Sequence, residues 1–152
     1  MVKGACVFDI DNTLTCDQKC TNKQINMMKK SIETCRENDF EVVINTARPP
    51  QPNMLHGIDT RIKTLLKGTQ VYSRKTSCTN SVPAEKLNNM KKIAKALKVP
   101  LYKTVLVDDL LQTCRHVNNN GSTAIHVHKE NGIDENEFTK IQKFVTTNKH
   151  PK

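Results

Sequence analysis

The feature that most constrains the fold is a regular alternation of short apolar runs with longer amphipathic segments. The apolar runs are too short for helices and are rich in β-branched residues, which is typical of buried strands. In the segments between them, apolar residues recur every three or four positions, as they do along one face of a helix. This alternation predicts right-handed strand-helix-strand units around a mainly parallel sheet that helices cover on both faces.

The predicted elements cover most of the chain. Strands are expected at 5–10, 40–44, 71–72, 104–107 and 123–127, and helices at 22–38, 55–65, 83–98, 110–118 and after the cap residue Asp134. A chain of 152 residues is about the size of one typical domain. We therefore expect a single domain, 1–152, with a three-layer, Rossmann-like α/β fold and a central sheet of about five strands.

The apolar runs of the sequence indicate where in the cell the protein is located. No apolar run approaches the roughly 20 residues of a membrane span. The first apolar run ends at Asp9, without the cleavage site of a signal peptide. We therefore expect an intracellular, cytoplasmic protein that does not enter a membrane.

The cysteines show no paired spacing, which favours free thiols over a disulfide framework in an intracellular chain. The six are Cys6, Cys16, Cys20, Cys35, Cys78 and Cys114. Cys16 and Cys20 lie close together, but no second pair completes the four ligands of a structural zinc site.

The chain is strongly basic, with a formal net charge of +9. Such an excess attracts anionic partners and favours phosphorylated or polyanionic substrates, including nucleic acid. The alternative is that lysines such as Lys29 and Lys91 only solvate the outer faces of helices. Single-strand nucleic-acid binders usually stack bases on aromatic rings. With two tyrosines, four phenylalanines and no tryptophan, the composition argues against that mode.

Polar side chains follow three of the predicted strands. The ends of the first, second and fourth strands carry Asp9 with Asp11, Thr46 with Arg48, and Asp108 with Asp109. The carboxyl ends of parallel strands meet at one edge, where such sheets bind ligands. Carboxylates gathered there need a cation or protons to offset their repulsion, and oxygen ligands favour Mg²⁺. The four aspartates are the predicted metal ligands.

The same residues can perform phosphoryl transfer. Asp9, held rigidly at a strand end, can attack phosphorus and form an aspartyl-phosphate, while Asp11 serves as acid or base. Thr46 and Lys86 offer donors for the charge on the transferring phosphoryl oxygens. Arg48 is a candidate substrate contact. The alternative is that an arginine in a proline-rich loop merely stacks on or solvates that loop.

Four motifs resemble those of the haloacid dehalogenase superfamily. The segment FDIDNTLT at 8–15 is similar to the first, an Asp-x-Asp-x-Thr after a hydrophobic strand. VVINT at 42–46 is similar to the second, Lys86 at the start of a helix to the third, and VLVDD at 105–109 to the fourth. They stand in the family's order.

The resemblance implies roles for individual residues. Asp9 would be the nucleophile, Asp11 the general acid/base, Thr46 and Lys86 the phosphoryl clamps, and Asp108 a Mg²⁺ ligand supported by Asp109. Asp9 and the Asp11 carbonyl would complete the ion's protein ligands. Lys75 and Lys91 are near enough in sequence to compete with Lys86 for the third-motif role. Position 12 is Asn where many members have Gly.

Family members often carry a cap domain, but the gaps 15–40 and 48–86 are too short for a substantial one. An open site needs a large substrate or a neighbouring subunit to exclude water. The expected function is Mg²⁺-dependent hydrolysis of phosphomonoesters at a site suited to a large or polyanionic substrate.

Three alternatives stay open. The first is a polynucleotide 3′-phosphatase, since TARP at 46–49 is similar to the second-motif region of such enzymes. The second is a small-metabolite phosphatase closed by oligomerisation. The third is a binding module with a silent site. The sequence leaves the oligomeric state and the phosphoryl acceptor undetermined.

Overall fold

The structure is a computed structural model that describes residues 1–75 and 81–147. In chain order its elements are β1 (Gly4–Phe8), α1 (Asn22–Glu37), β2 (Phe40–Asn45), α2 (Thr60–Leu65), β3 (Val71–Tyr72), α3 (Val82–Leu97), a 3₁₀ turn (Leu101–Lys103), β4 (Thr104–Asp108), α4 (Leu111–Asn119), β5 (Thr123–His126) and α5 (Glu135–Thr147). Within the described residues, no helix is long and apolar enough to cross a membrane.

The five strands form one parallel sheet in the order β3-β2-β1-β4-β5. The chain builds the sheet outward from β1 to β3 and then crosses back to add β4 and β5 on the other side. The order therefore reverses next to β1, and α/β sheets bind ligands at such a switch point. The prediction of a three-layer, Rossmann-like α/β fold is confirmed.

Helices cover both faces of the sheet. Along β1, Cys6 and Phe8 belong to the apolar core formed with α1, α2 and α5, whereas Ala5 and Val7 belong to the core formed with α3 and α4. Consecutive strand residues point to opposite faces, so a strand buried on both sides is apolar throughout.

Most predicted elements lie within two residues of their observed bounds, but α2 begins later than predicted. The helical spacing suggested a start near residue 55, whereas α2 starts at Thr60. Gly57 has a φ of +87°, which a helix cannot include, and the Asp59 side chain accepts a hydrogen bond from the Arg61 amide and caps the helix. The segment before Asp59 is therefore a loop.

The prediction of free thiols is wrong for Cys16 and Cys20, which form a disulfide in the loop between β1 and α1. The loop turns back on itself and brings their Cα atoms to 5.2 Å, a separation that a disulfide can bridge. Cys6, Cys35 and Cys114 are free and buried. Cys78 lies outside the described residues.

No large insertion covers the carboxyl edge of the sheet among the described residues. One loop and α1 connect β1 to β2, and the described residues between β2 and α3, 46–75 and 81, contain only α2 and β3.

Candidate active site

The pairing of β1 with β2 and β4 determines where the site lies in the sheet. Phe8 pairs with Ile44 of β2 on one side and with Val107 of β4 on the other. Asp9 therefore lies between the ends of these two neighbours, and its amide donates to the Val107 carbonyl at 3.0 Å. The polar residues that follow β1, β2 and β4 consequently share one edge.

Lys86 lies at the centre of this edge. Its Nζ donates to Asp9 Oδ1 and Asp108 Oδ2, each at 2.7 Å, and to the Asn45 carbonyl at 2.9 Å. An ammonium has three N–H donors, so these acceptors satisfy it fully. The side chain is only 2% exposed, and the ion pairs offset the free energy of burying its charge.

The environment keeps Lys86 charged. Burial alone lowers the pKa of a lysine, but the attraction of Asp9 and Asp108 outweighs it and raises the pKa of Lys86 above its ordinary value. Lys75 and Lys91, which compete for the same role in the sequence, are exposed.

Asp9, Asp108 and Asp109 form a buried acidic triad. Each offers one carboxylate oxygen, and the three oxygens lie within 4.8 Å of one another. Burial raises the pKa of Asp109 to about 8, and its contact with Asp9 adds to the rise. Burial also raises the pKa of Asp9, although Lys86 acts in the opposite direction. Three carboxyl groups thus face one ammonium, and their closely spaced oxygens fit a hard divalent cation such as Mg²⁺.

The Asp11 carboxylate is not part of this triad. Arg48 holds it through two parallel hydrogen bonds, Nε to Oδ2 at 3.1 Å and Nη2 to Oδ1 at 2.8 Å. The Asp11 side chain is 61% exposed, whereas that of Arg48 is 11% exposed. The hydrogen bonds from Arg48 lower the pKa of Asp11.

Arg48 also organises the loop that follows β2. Its Nη1 donates to the carbonyls of Met54 and His56, at 3.0 and 2.8 Å. Its main-chain amide donates to the hydroxyl of Thr46, which is buried directly after β2. Arg48 therefore ties this loop to Asp11.

The loop after Asp9 adopts a tight turn. Asn12 has a φ of +57°, in the left-handed region that Asn tolerates better than most non-glycine residues. Asn12 can therefore occupy a position at which many members of the haloacid dehalogenase superfamily have Gly. The turn brings the Thr13 hydroxyl to 3.3 Å from Asp9 Oδ2, so Thr13 and Lys86 hold opposite oxygens of one carboxylate.

Sequence reasoning missed two amide side chains beside the site, Asn45 and Asn89. Asn45 is the last residue of β2, and Asn89 lies three residues after Lys86, on the same face of α3. Both are buried. The available signal was a polar residue at a strand end and another among the inward apolar positions of a helix.

These features define a three-layer α/β protein whose parallel sheet carries, at its switch point, an acidic site partly neutralised by a buried lysine. A family model described as haloacid dehalogenase-like hydrolase matches residues 6–152. The chain belongs to this family of hydrolases. No curated protein matches the sequence.

Solved structures share the fold at low sequence identity. An uncharacterized protein from Corynebacterium glutamicum ATCC 13032 is 16% identical over 96% of both chains, with a TM-score of 0.66. A chain of the Pnkp1/Rnl/Hen1 RNA repair complex is 16% identical over 88% of this chain and 44% of its own, with a TM-score of 0.55. An uncharacterized protein from Listeria monocytogenes serotype 4b is 15% identical over 88% and 83%, with a TM-score of 0.54.

Proposed function

We propose that this chain is a Mg²⁺-dependent phosphatase that hydrolyses phosphomonoesters with Asp9 as the nucleophile. The observation that carries the proposal is the setting of Asp9. Its carboxylate stands at the end of the central strand, with Lys86 on one oxygen and Thr13 on the other. A carboxylate held in this way by a buried ammonium and a hydroxyl is suited to attack phosphorus.

In the first step, an oxygen of Asp9 forms a bond to phosphorus, and the bond from phosphorus to the leaving alcohol oxygen breaks. The leaving oxygen takes a proton from Asp11. Lys86 and Thr46 stabilise the charge on the transferring oxygens. The product of this step is an aspartyl-phosphate on Asp9.

In the second step, water attacks the aspartyl-phosphate, releases phosphate and regenerates the Asp9 carboxylate. Asp11, which is ionised once it has given its proton to the leaving oxygen, takes the proton from that water. In the structure, the hydrogen bonds from Arg48 lower the pKa of Asp11 and favour this ionised form. Donation in the first step instead requires Asp11 to be protonated, so Arg48 has to release it. An anionic substrate that draws Arg48 to itself would do this, which is the role we propose for Arg48.

The proposed Mg²⁺ ligands are Asp9 and Asp108 with the Asp11 carbonyl, supported by Asp109. When bound, the ion neutralises carboxylates and withdraws charge from the phosphoryl oxygens. The closeness of the three buried carboxylates supports this part of the proposal.

A polynucleotide 3′-phosphatase is the second candidate. The charge of +9 favours a polyanionic substrate, and the described connections leave the sheet edge without a cap. One structure that shares the fold is a chain of an RNA repair complex. The small number of aromatic residues counts against base stacking as the means of binding.

A cytoplasmic location stays a prediction, and the Cys16–Cys20 disulfide counts against it because such bonds are rare in reducing compartments. Alkylation of thiols in intact cells, followed by mass analysis of the peptide, tests the point. A cytoplasmic protein should carry the alkyl group on both cysteines.

The deciding experiment measures phosphate release from 3′- and 5′-phosphorylated oligonucleotides, phosphopeptides and small phosphomonoesters, with Mg²⁺ or with a chelator. Asp9→Asn should abolish turnover, whereas Asp17→Asn, at an exposed position in the same loop, should leave it unchanged. If oligonucleotides are preferred and the preference shrinks with salt, the second candidate is supported. Full activity of Asp9→Asn would contradict the enzyme proposal itself.

A further inference from the structure

Asn45 forms hydrogen bonds with both the side chain and the main chain of Lys86. The main-chain carbonyl of Asn45 accepts from Lys86 Nζ at 2.9 Å, and the Asn45 side-chain amide donates to the Lys86 carbonyl at 3.0 Å. One residue at the end of β2 therefore contacts both the backbone of α3 and the ammonium that α3 delivers to the site.

Asn89 completes this arrangement from one turn further along α3. Its Nδ2 donates to Asn45 Oδ1 at 3.0 Å and to the Ser73 carbonyl, beyond β3, at 3.3 Å. Asn45 is fully buried and Asn89 is 6% exposed. The two amides therefore tie α3 to the ends of both β2 and β3.

The chemistry of the partners fixes both amide orientations. The Lys86 carbonyl can only accept, so the Nδ2 of Asn45 must face it and Oδ1 must face Asn89. Asn89 must then present its own Nδ2, which also meets the carbonyl of Ser73. Reversing either amide would set two acceptors against each other.

Apolar packing alone does not explain these amides. Leu87, Met90 and Ile93 already bury α3 against the sheet, and such contacts have little directionality. A buried amide is unfavourable unless its hydrogen bonds are made, so an apolar residue would serve adhesion equally well. What amides add is a fixed separation and register between a helix and a strand.

We propose that Asn45 and Asn89 are positioning residues, which set α3 against β2 so that the Lys86 ammonium lies between Asp9 and Asp108. This inference rests on the proposed phosphatase function, since it assigns the amides a task in that reaction. They act through Lys86 and do not themselves touch the substrate.

Asn89→Ala tests the proposal, with Asn88→Ala as the matched control, because Asn88 is the exposed neighbour on the same helix. The assay is Mg²⁺-dependent hydrolysis of p-nitrophenyl phosphate. A misplacement of about 1 Å can lower a rate by about 10²-fold, so we expect kcat to fall about 10- to 100-fold in Asn89→Ala. We expect KM to change by less than about threefold, and Asn88→Ala to match the wild type.

A double-mutant cycle with Lys86→Ala separates positioning from a general loss of structure. If Asn89 acts through Lys86, adding Asn89→Ala to Lys86→Ala should lower kcat no further. Thermal unfolding identifies a variant that fails to fold. Asn89→Ser, which keeps one donor, then provides the second test and should recover part of the kcat lost in Asn89→Ala.

Two results would overturn the inference. One is a folded Asn89→Ala enzyme with the kcat of Asn88→Ala, and the other is a loss that stays the same with and without Lys86. If Asp9→Asn is inactive in the same assay, the proposed function survives and only the positioning role fails. If Asp9→Asn keeps its activity, the proposed function itself fails.

Discussion

Lys86 is the counter-ion of the site. Its ammonium lies 2.7 Å from a carboxylate oxygen of Asp9 and from one of Asp108, with all three side chains almost fully buried. Removing one partner of a buried ion pair leaves charge without compensation, which is more unfavourable than removing both. This residue should therefore affect stability as well as chemistry.

We expect Lys86→Met to lower the free energy of unfolding by about 3 kcal/mol, because Asp9 and Asp108 lose their counter-ion. Mg²⁺ should recover part of the loss by neutralising the same carboxylates. Urea unfolding with and without Mg²⁺ measures both effects. Lys91→Met, at an exposed position of the same helix, is the control, and equal losses in the two variants would show that Lys86 is not a buried counter-ion.

Arg48→Lys keeps the charge but removes the planar guanidinium that holds Asp11 through two hydrogen bonds. If Arg48 moves to the substrate anion during turnover, KM should rise about tenfold, the equivalent of about 1.4 kcal/mol. Steady-state kinetics on the best substrate of the panel measure the change. Arg61→Lys, which alters the ion pair between the exposed Arg61 and the partly buried Asp59, should have no effect. A lower kcat at unchanged KM would show that Arg48 acts only through Asp11 and does not bind the substrate.

At the scale of elements, the loop before α5 supports the loop that follows Asp9. The amides of Gly132 and Ile133 donate to the carbonyls of Asn12 and Thr13, at 2.7 and 2.9 Å. The Gln24 side chain, in the first turn of α1, donates to the Asn131 carbonyl at 2.9 Å. The loop before α5 thereby anchors the turn that follows Asp9, and α1 in turn holds that loop.

Gly132→Ala should weaken this anchor. Gly132 has a φ of +87°, and a Cβ there would lie 2.6 Å from Cys16 Sγ and 3.1 Å from the Thr15 carbonyl oxygen. Gly68 also has a positive φ, +78°, but a Cβ there would meet no atom within 4 Å. We expect Gly68→Ala to lose about 1 kcal/mol from backbone strain alone and Gly132→Ala about 3 kcal/mol. Guanidinium unfolding compares them, and similar losses would argue against tight packing at Gly132.

For the whole molecule, we expect protons and divalent cations to compete for binding to the acidic triad. The raised pKa of Asp109, about 8, means that the folded state holds a proton that the unfolded state releases. Between the unfolded carboxyl pKa, about 4, and 8, this contribution to stability is lost as the pH rises. A bound divalent cation competes with that proton.

Mg²⁺ should therefore stabilise the protein more at pH 8.5 than at pH 6. At a concentration about tenfold above its Kd at pH 8.5, the ion should add about 1.4 kcal/mol, or about 3–6 °C in Tm. At pH 6, protons occupy Asp109, and the same concentration should change Tm by less than about 1 °C. Calorimetric scans at the two pH values measure the difference, with Ca²⁺ as a comparison cation. An equal shift at both would show that the ion does not bind where these protons bind.

The sequence alone determined the fold and much of the candidate site. Alternating apolar runs and amphipathic segments specify a parallel sheet, because each pattern records which faces an element must bury. Once the strands are parallel, residues at their ends must share an edge, which brings Asp9 and Thr46 together with Asp108 and Asp109. Lys86 was predicted from the family's motif order, and the structure places its ammonium among these residues.

Only the tertiary structure decided the contacts between groups far apart in the chain. Arg48 binds the Asp11 carboxylate, which is not part of the acidic triad, and Asn45 pairs with Asn89 across β2 and α3. Periodicity says that a residue faces inward but not which side chain it meets there, since that depends on the separation and register of packed elements. The Cys16–Cys20 disulfide was not predicted for the same reason, because a four-residue spacing does not reveal how a loop bends.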